Sequence, residues 1–217
     1  MYLDDNILEK IRDGSNYYFM VFEAEKPEVI LGRARKKEED VIIRNCEEDR
    51  VPILRRAGGG GTVLLSPGVI VISIAGITSF PFYLKEHMNV INEIIIKVLE
   101  RFGVKDLLIM GISDITIGDK KILGSSLYKK KNHVLYQGSL LYDPDMELIG
   151  RYLKHPDKEP EYRKGRPHKN FLTSLLKEGY NIDKSRLLSD LSAELGKGNP
   201  WSSGEEFSTG HKIQAGF

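Results

Sequence analysis

Two arginines, Arg55 and Arg56, stand just before four consecutive glycines at residues 58–61, and Thr62-Val63 leads on into an apolar strand. Glycine loses more backbone entropy on folding than any other residue, so a run of glycines needs a reason. Either backbone N–H groups approach an anion that the arginines neutralise, or the run is a hairpin loop beside solvated arginines. The spacing leaves both interpretations open. It excludes a P-loop, because no Lys-Ser or Lys-Thr pair follows the glycines.

A second candidate segment contains an acid and a base that suit phosphate chemistry. Asp114 follows the apolar stretch 107–110, and Lys121 stands before the small residues Gly124 and Ser125. Magnesium binds one or two carboxylates together with phosphate oxygens, and lysine neutralises a phosphate as a point charge. The alternative is a solvated hairpin that turns at residues 118–119, and the residues alone favour it.

A third segment places Gln137 and Gly138 inside an apolar strand. A glycine within a strand often marks a close approach of another group to the backbone. Here the glutamine amide would donate to that group. An ordinary edge strand is the alternative interpretation.

These segments lie among short strands, most of them in hairpins, with one long amphipathic helix in the middle. The pattern predicts an α+β fold with a mixed, mostly antiparallel central sheet flanked by helices. The predicted strands are 17–24, 29–32, 51–54, a hairpin of 62–65 with 69–74, 107–110, 115–117, 121–123 and 134–141. The predicted helices are 36–50, 84–102, 146–153, 171–176 and 184–195.

The stretch 154–170 differs from the rest because it is rich in proline and charge and has little to bury. We interpret it as an exposed loop. Its six basic side chains either contact an acidic partner, close over a bound ligand or are simply solvated: Lys154, Lys158, Arg163, Lys164, Arg166 and Lys169.

Composition excludes several classes of protein. The chain has 217 residues and a net charge of +1, which fits one globular domain and argues against a general nucleic-acid binder. No apolar stretch approaches the roughly 20 residues of a membrane span. The single cysteine, Cys46, rules out an internal disulfide, so a reducing cytoplasm is the expected location.

In this order, the motifs resemble those of the lipoate–protein ligase and octanoyltransferase family, which is related to biotin–protein ligases. The resemblance extends over roughly residues 20–176. It is carried by the arginine–glycine segment, a Gly-x-Asn-Asp-like strand end, a Gly-x-Lys-x-x-Gly-Ser hairpin, a His-Gly-[Thr/Ser]-hydrophobic strand and a short helix ending in Tyr-Leu. In this chain the matching residues are 55–63, 111–114, 121–125, 137–140 and 151–153.

The resemblance implies a fold shared with class II aminoacyl-tRNA synthetases. It also implies activation of lipoate or octanoate with ATP and magnesium, and acyl transfer to a lysine of a lipoyl carrier domain (of an E2 or glycine-cleavage H-type protein). Lys121 would be the catalytic cation and Asp114 the magnesium ligand. The implied substrate and adenylate contacts are Arg55, Arg56, Gly59, Gly60, Gly61, Thr62, Val63, Gly124, Ser125, Gln137 and Gly138.

Several positions depart from the family pattern, and they keep other functions open. Leu65-Ser66 stands where the family usually has His-Asp or His-Gly, Gln137 stands in place of a histidine, and Ser113 in place of an asparagine. A cysteine-free acyl transferase, a biotin-type ligase and a non-catalytic relative that binds a carrier domain remain alternatives. We interpret Cys46 as a small apolar residue rather than a nucleophile.

Length bears on how the chain is divided. We expect residues 1–183 to form the catalytic domain and residues 184–217 a C-terminal helix and tail, too short for a sizeable core of its own. The protein is then either a compact ligase or one that works with a separate accessory chain.

Overall fold

Nine strands form two sheets in the computed structural model, which describes residue 7 and residues 9–11, 15–78 and 84–202. The strands are β1 (Tyr17–Glu23), β2 (Glu28–Leu31), β3 (Ile53–Arg55), β4 (Val63–Leu65), β5 (Val69–Ile77), β6 (Leu107–Met110), β7 (Asp114–Ile117), β8 (Lys120–Lys130) and β9 (His133–Leu141). The larger sheet has the order β1-β5-β9-β8-β7-β6, and all its pairs are antiparallel. The smaller sheet, β3-β2-β4, contains one parallel pair. The predicted α+β class with a mixed, mostly antiparallel sheet is confirmed.

Helices cover both sheets. They are α1 (Lys37–Asp40), α2 (Ile43–Glu48), α3 (Leu84–Arg101), α4 (Met146–Tyr152), α5 (His168–Phe171) and α6 (Lys184–Leu195). The apolar side chains of α3 recur at three- and four-residue spacing and are buried, so this helix packs its apolar face on the larger sheet. Helix α6 packs against the same core through Leu187, Leu191 and Leu195. None of these helices is long and apolar enough to cross a bilayer.

The predicted hairpin of 62–65 with 69–74 is wrong, because its two strands belong to different sheets. Strand β4 pairs with β2, whereas β5 pairs with β1 and β9. The turn between them is held elsewhere, since the carbonyl of Gly68 accepts hydrogen bonds from the N–H groups of Tyr142 and Asp143. These bonds fix the turn to the end of β9, so β5 continues alongside that strand.

Two predicted helices are also shorter than expected. The stretch 36–50 is split into α1 and α2, because Val41 is extended and bridges to Leu153. The predicted helix 171–176 ends at Phe171, as part of α5. Beyond it the backbone donates to the larger sheet instead, for example from the N–H of Thr173 to the carbonyl of Lys121 at 3.0 Å.

The stretch after α6 is irregular, as predicted, yet it is anchored. Trp201 is buried, and its indole N–H donates to the carbonyl of His87 on α3 at 3.1 Å. Gly76 on β5 makes room for this ring, since a Cβ there would lie 2.9 Å from it. The remainder of the tail, residues 203–217, lies outside the described residues.

Candidate active site

A cleft of about 1300 Å³ lies between the two sheets, a volume sufficient for a small-molecule ligand. One wall is the glycine loop, which we define as residues 56–62, and the opposite wall is the 154–170 segment. The predicted site residues that line the cleft are Arg56, Gly59, Gly60, Gly61, Thr62, Val63, Asp114, Lys121, Gly124, Ser125, Gln137 and Gly138.

The glycine loop is folded around the side chain of Arg56. This arginine is only 7% exposed, and its Nη2 donates to the carbonyls of Gly59 at 2.6 Å and Gly61 at 2.7 Å. Between them Gly60 has a φ of +83°, a conformation that glycine adopts without strain. The buried guanidinium group therefore holds the conformation of the loop, and the carbonyl groups of Gly59 and Gly61 point towards its positive charge.

Arg55, the other predicted arginine, does not line this cleft. Its Nη1 donates to three backbone carbonyls of one loop, those of Gly32 at 2.9 Å, Arg33 at 3.0 Å and Arg35 at 2.7 Å. It holds the loop after β2, on the outer side of the smaller sheet.

The remaining glycines bring the loop close to neighbouring backbone and leave its front open. A Cβ on Gly32 would lie 2.1 Å from the carbonyl oxygen of Gly60, and a Cβ on Gly58 would lie 2.8 Å from Oγ of Ser126. At Gly59 and Gly61, by contrast, a Cβ would meet nothing within 4 Å. The loop thus rests on β8 while two of its glycines border open space.

Lys121 lies at the floor of the cleft, paired with Asp114. Its Nζ is 2.8 Å from Oδ1 of the carboxylate, and the two side chains are 23% and 15% exposed. Gly124 makes room for the ammonium group, because a Cβ there would lie 2.7 Å from Nζ. The ammonium and the glycine loop therefore approach the same stretch of β8, residues 124–126, and share one cleft.

Residues 154–170 are mostly exposed, as predicted, but the segment is not simply solvated, because it is fastened to the cleft. Tyr162 donates from its hydroxyl to Oδ2 of Asp114 at 2.7 Å. Arg163 is 4% exposed, and its guanidinium stacks on the ring of Phe171 at 4.7 Å. Arg166 binds Asp119 at 2.6 Å, on the turn that leads to Lys121.

Sequence reasoning missed Tyr162 as a site residue. The available signal was the spacing of aromatic and basic residues around it, from Tyr162-Arg163 through Arg166 to Phe171. Such spacing permits arginines to stack on one ring. Burial also raises the pKa of Tyr162, so the phenol keeps its proton and remains a donor.

A buried carboxylate, Asp40, was missed as well. It accepts hydrogen bonds from the Arg35 guanidinium and from the hydroxyl of Thr62, at the end of the glycine loop. Arg35 also binds Asp157 at 2.6 Å, in the opposite wall. The Arg35 guanidinium, and then the Thr62 hydroxyl, hold the pKa of Asp40 below its usual range. The sequence does not distinguish Asp40 from its acidic neighbours, because only the fold brings its hydrogen-bond partners together.

Beneath the cleft a hydrogen-bond chain connects α3 to the floor. Tyr136 donates to Oδ1 of Asn92 at 2.7 Å, and the Asn92 amide donates to the carbonyl of Ser113 at 2.8 Å. The same carbonyl accepts from Oγ of Ser125 at 3.1 Å. Gly138 leaves room for this chain, since a Cβ would lie 3.0 Å from the Tyr136 hydroxyl oxygen.

Comparisons with known proteins fit this geometry. The sequence model of the lipoyl protein ligase A/B catalytic domain matches residues 1–195. The chain belongs to this family.

Individual relatives agree with this assignment. The chain is 30% identical over 166 residues to the "Probable lipoate-protein ligase A" of Mycoplasma pneumoniae, a match that covers 75% of this chain and 47% of that protein. A crystal structure of lipoate-protein ligase A bound with ATP has a TM-score of 0.76 at 19% identity, over 89% of this chain and 77% of that one. The same TM-score and identity are found for an archaeal bipartite lipoate protein ligase, studied with its E2 lipoyl domain, from Thermoplasma acidophilum, over 89% and 75%.

The solved structures show that the fold is shared, and the curated relatives show how much of a relative's length this chain covers. The chain spans about half the length of the curated relatives that it matches, 47% of the Mycoplasma protein and 45% of a Staphylococcus aureus "Lipoate--protein ligase 1".

Within this family domain, Asp114 was predicted to hold magnesium. Its two oxygens accept from Lys121 and from Tyr162, and no group of three or more metal-binding side chains occurs among the residues that the structure describes. A single carboxylate fits magnesium only where phosphate oxygens and waters supply the other ligands. Asp114 therefore stays a candidate ligand that would act together with a bound nucleotide.

Cys46 lies apart from the cleft. It is 2% exposed on α2, within the apolar cluster between the smaller sheet and α4. Burial raises the pKa of its thiol, which disfavours the thiolate. This geometry does not suit a cysteine nucleophile.

Proposed function

We propose that this chain is the catalytic unit of an ATP-dependent lipoate–protein ligase. It would join lipoate or octanoate to the α-phosphate of ATP with release of pyrophosphate. It would then transfer the acyl group to a lysine of a lipoyl carrier domain with release of AMP. A reducing cytoplasm suits this chemistry and the single buried thiol.

The observation that carries the proposal is the position of the Lys121 ammonium in the cleft shared with the glycine loop. Attack of the acid on phosphorus and attack of the carrier amine on the acyl carbonyl both build negative charge on oxygen. A fixed cation beside those oxygens stabilises the transition states more than the ground states. Backbone N–H groups of Gly60, Gly61 and Thr62 would complement it along the adenylate.

The cleft also suits an acid with a hydrocarbon chain. Apolar side chains contribute to the lining beside the polar groups. They include Ile30, Val63, Leu65, Val71, Met88, Met110 and Leu127. Burial of each methylene of the acyl chain there would contribute about 0.8 kcal/mol.

The carrier domain, and possible help from an accessory chain, are part of the proposal. The archaeal relative is bipartite and was studied with an E2 lipoyl domain, which supports such partners for this chain. The length of the curated relatives is consistent with further sequence that acts together with this unit.

The test begins with the wild-type protein. Calorimetric titration with ATP and lipoate should show binding, pyrophosphate should be released when both are present, and an added lipoyl domain should gain the mass of a lipoyl group. Adenylate formation without transfer would point to a missing accessory chain. Absence of binding of either ligand would contradict the proposal and favour a non-catalytic relative.

A further inference from the structure

We propose that Tyr162 is a positioning residue for the ligase reaction, holding Asp114 so that the carboxylate keeps the Lys121 ammonium in place. The inference rests on the proposed function and adds a residue outside every motif that identified the family. It also gives the 154–170 segment a part in the chemistry.

The geometry singles out the Tyr162 hydroxyl. Asp114 presents one oxygen to Lys121 at 2.8 Å and the other to Tyr162 at 2.7 Å. The carboxylate thus has a donor on each side, and it bridges the floor of the cleft to the opposite wall. A hydrogen bond to an ionised carboxylate is stronger than one between neutral groups.

Tyr162 is itself held on three sides, so its hydroxyl has little freedom to move. Its ring lies 5.2 Å from that of Phe171, centroid to centroid, and its carbonyl accepts from Arg166 at 2.8 Å. On the third side is Gly111, with a φ of +60°, where a Cβ would lie 3.5 Å from the ring. A restrained donor fixes the carboxylate better than water would.

The consequence for Lys121 is geometric. Lysine is a flexible point charge on four methylenes, and its position depends on its partners. A small misplacement of a catalytic group costs rate even when binding is kept. Loss of the tyrosine hydroxyl should therefore lower kcat and leave KM almost unchanged.

The test compares Tyr162→Phe with Tyr142→Phe. Both remove one hydroxyl from a tyrosine; that of Tyr142 donates to the carbonyl of Ile182 at 2.7 Å, away from the cleft. For Tyr162→Phe we expect kcat for adenylate formation to fall about tenfold, with KM for ATP and lipoate within about twofold. Tyr142→Phe should leave kcat and KM unchanged. A crystal structure of Tyr162→Phe should show the Lys121–Asp114 pair displaced.

Two results would overturn the inference. One is a wild-type kcat in Tyr162→Phe, and the other is a Lys121–Asp114 pair that has not moved, whatever the rate. If the wild-type protein forms no adenylate, the proposed function fails. The crystal structures of the wild type and variant then decide alone whether Tyr162 positions the pair.

Discussion

The two walls of the cleft are built in opposite ways. The glycine loop lines the cleft largely with backbone, and the buried side chain of Arg56 holds the loop's conformation through hydrogen bonds to its carbonyls. The 154–170 segment offers side chains, and it is held by arginines stacked on Phe171 and by contacts with Asp114 and Asp119. Both walls meet at the network of Arg35, where Asp40 lies on one side and Asp157 on the other.

The two walls illustrate two ways in which a protein can fix the geometry of a site. A wall made of backbone needs residues without a side chain where other groups approach closely. Such positions can be recognised in the sequence because they are glycines. A wall of side chains needs partners that are distant along the chain, such as Tyr162 and Asp114, which are 48 residues apart. The first wall should respond most to changes in backbone conformation, and the second to loss of packing.

The largest stability effect should come from the side-chain wall. Phe171 is 2% exposed and supports Tyr162, Arg163 and Arg166. Phe171→Ala should lower the free energy of unfolding by about 3–5 kcal/mol, because it removes a buried ring and leaves a cavity. Urea denaturation measures this, and limited proteolysis should detect cleavage within residues 154–170. Phe171→Leu keeps much of the side-chain volume and should lower the free energy of unfolding much less. Equal decreases for the two variants would show that packing of this side chain does not hold the 154–170 segment in place.

A smaller effect should come from the carboxylate at the end of the glycine loop. The pKa of Asp40 is lowered by Arg35, so its contribution to stability is present above about pH 4 and is lost as the pH falls through the lower folded value. Asp40→Asn should cost about 2 kcal/mol at pH 7 and flatten the acid limb of a stability curve. Asp157→Asn is the matched control, since that side chain is 54% exposed and should matter less. An unchanged acid limb in Asp40→Asn would exclude this role.

The smallest effect on stability should be a difference between alanine substitutions at two adjacent glycines, Gly59 and Gly60. Gly60→Ala should cost about 1–2 kcal/mol because its φ is +83° and its new Cβ would lie 3.1 Å from Nη2 of Arg56. Gly59→Ala meets nothing within 4 Å and should change stability by less than about 0.5 kcal/mol. Thermal unfolding of the two variants makes the comparison. Equal effects would contradict the idea that the loop's conformation, rather than its openness, requires glycine at position 60.

The sequence predicted the parts of the site whose chemistry is local. Lys121 and Asp114 belong to one hairpin, and Arg56 lies beside the loop that it shapes, so short spacings predicted their proximity. Arg55 shows the limit, because successive residues at the end of a strand point to opposite faces and only one of two adjacent arginines faces the cleft. Tyr162 and Asp40 were missed since their partners are set by tertiary packing.

The hairpin predicted for β4 and β5 failed for a related reason. Two apolar runs with a Ser-Pro-Gly turn are compatible with a hairpin, and nothing local indicates a change of sheet. What decides is the anchoring of Gly68 by residues after β9, about 75 positions later. Long-range hydrogen bonds of this kind leave no periodic signal in the sequence.

If the Lys121 ammonium promotes acyl transfer from within this cleft, its removal should slow lipoylation. This is measured as the mass of a lipoyl domain after incubation with ATP, lipoate and either the wild type or Lys121→Ala, with circular dichroism to verify folding. We predict a lipoyl-sized mass gain with the wild type and at least a 100-fold slower gain with a folded variant. Near-normal lipoylation by Lys121→Ala would contradict a role of this ammonium group in acyl transfer.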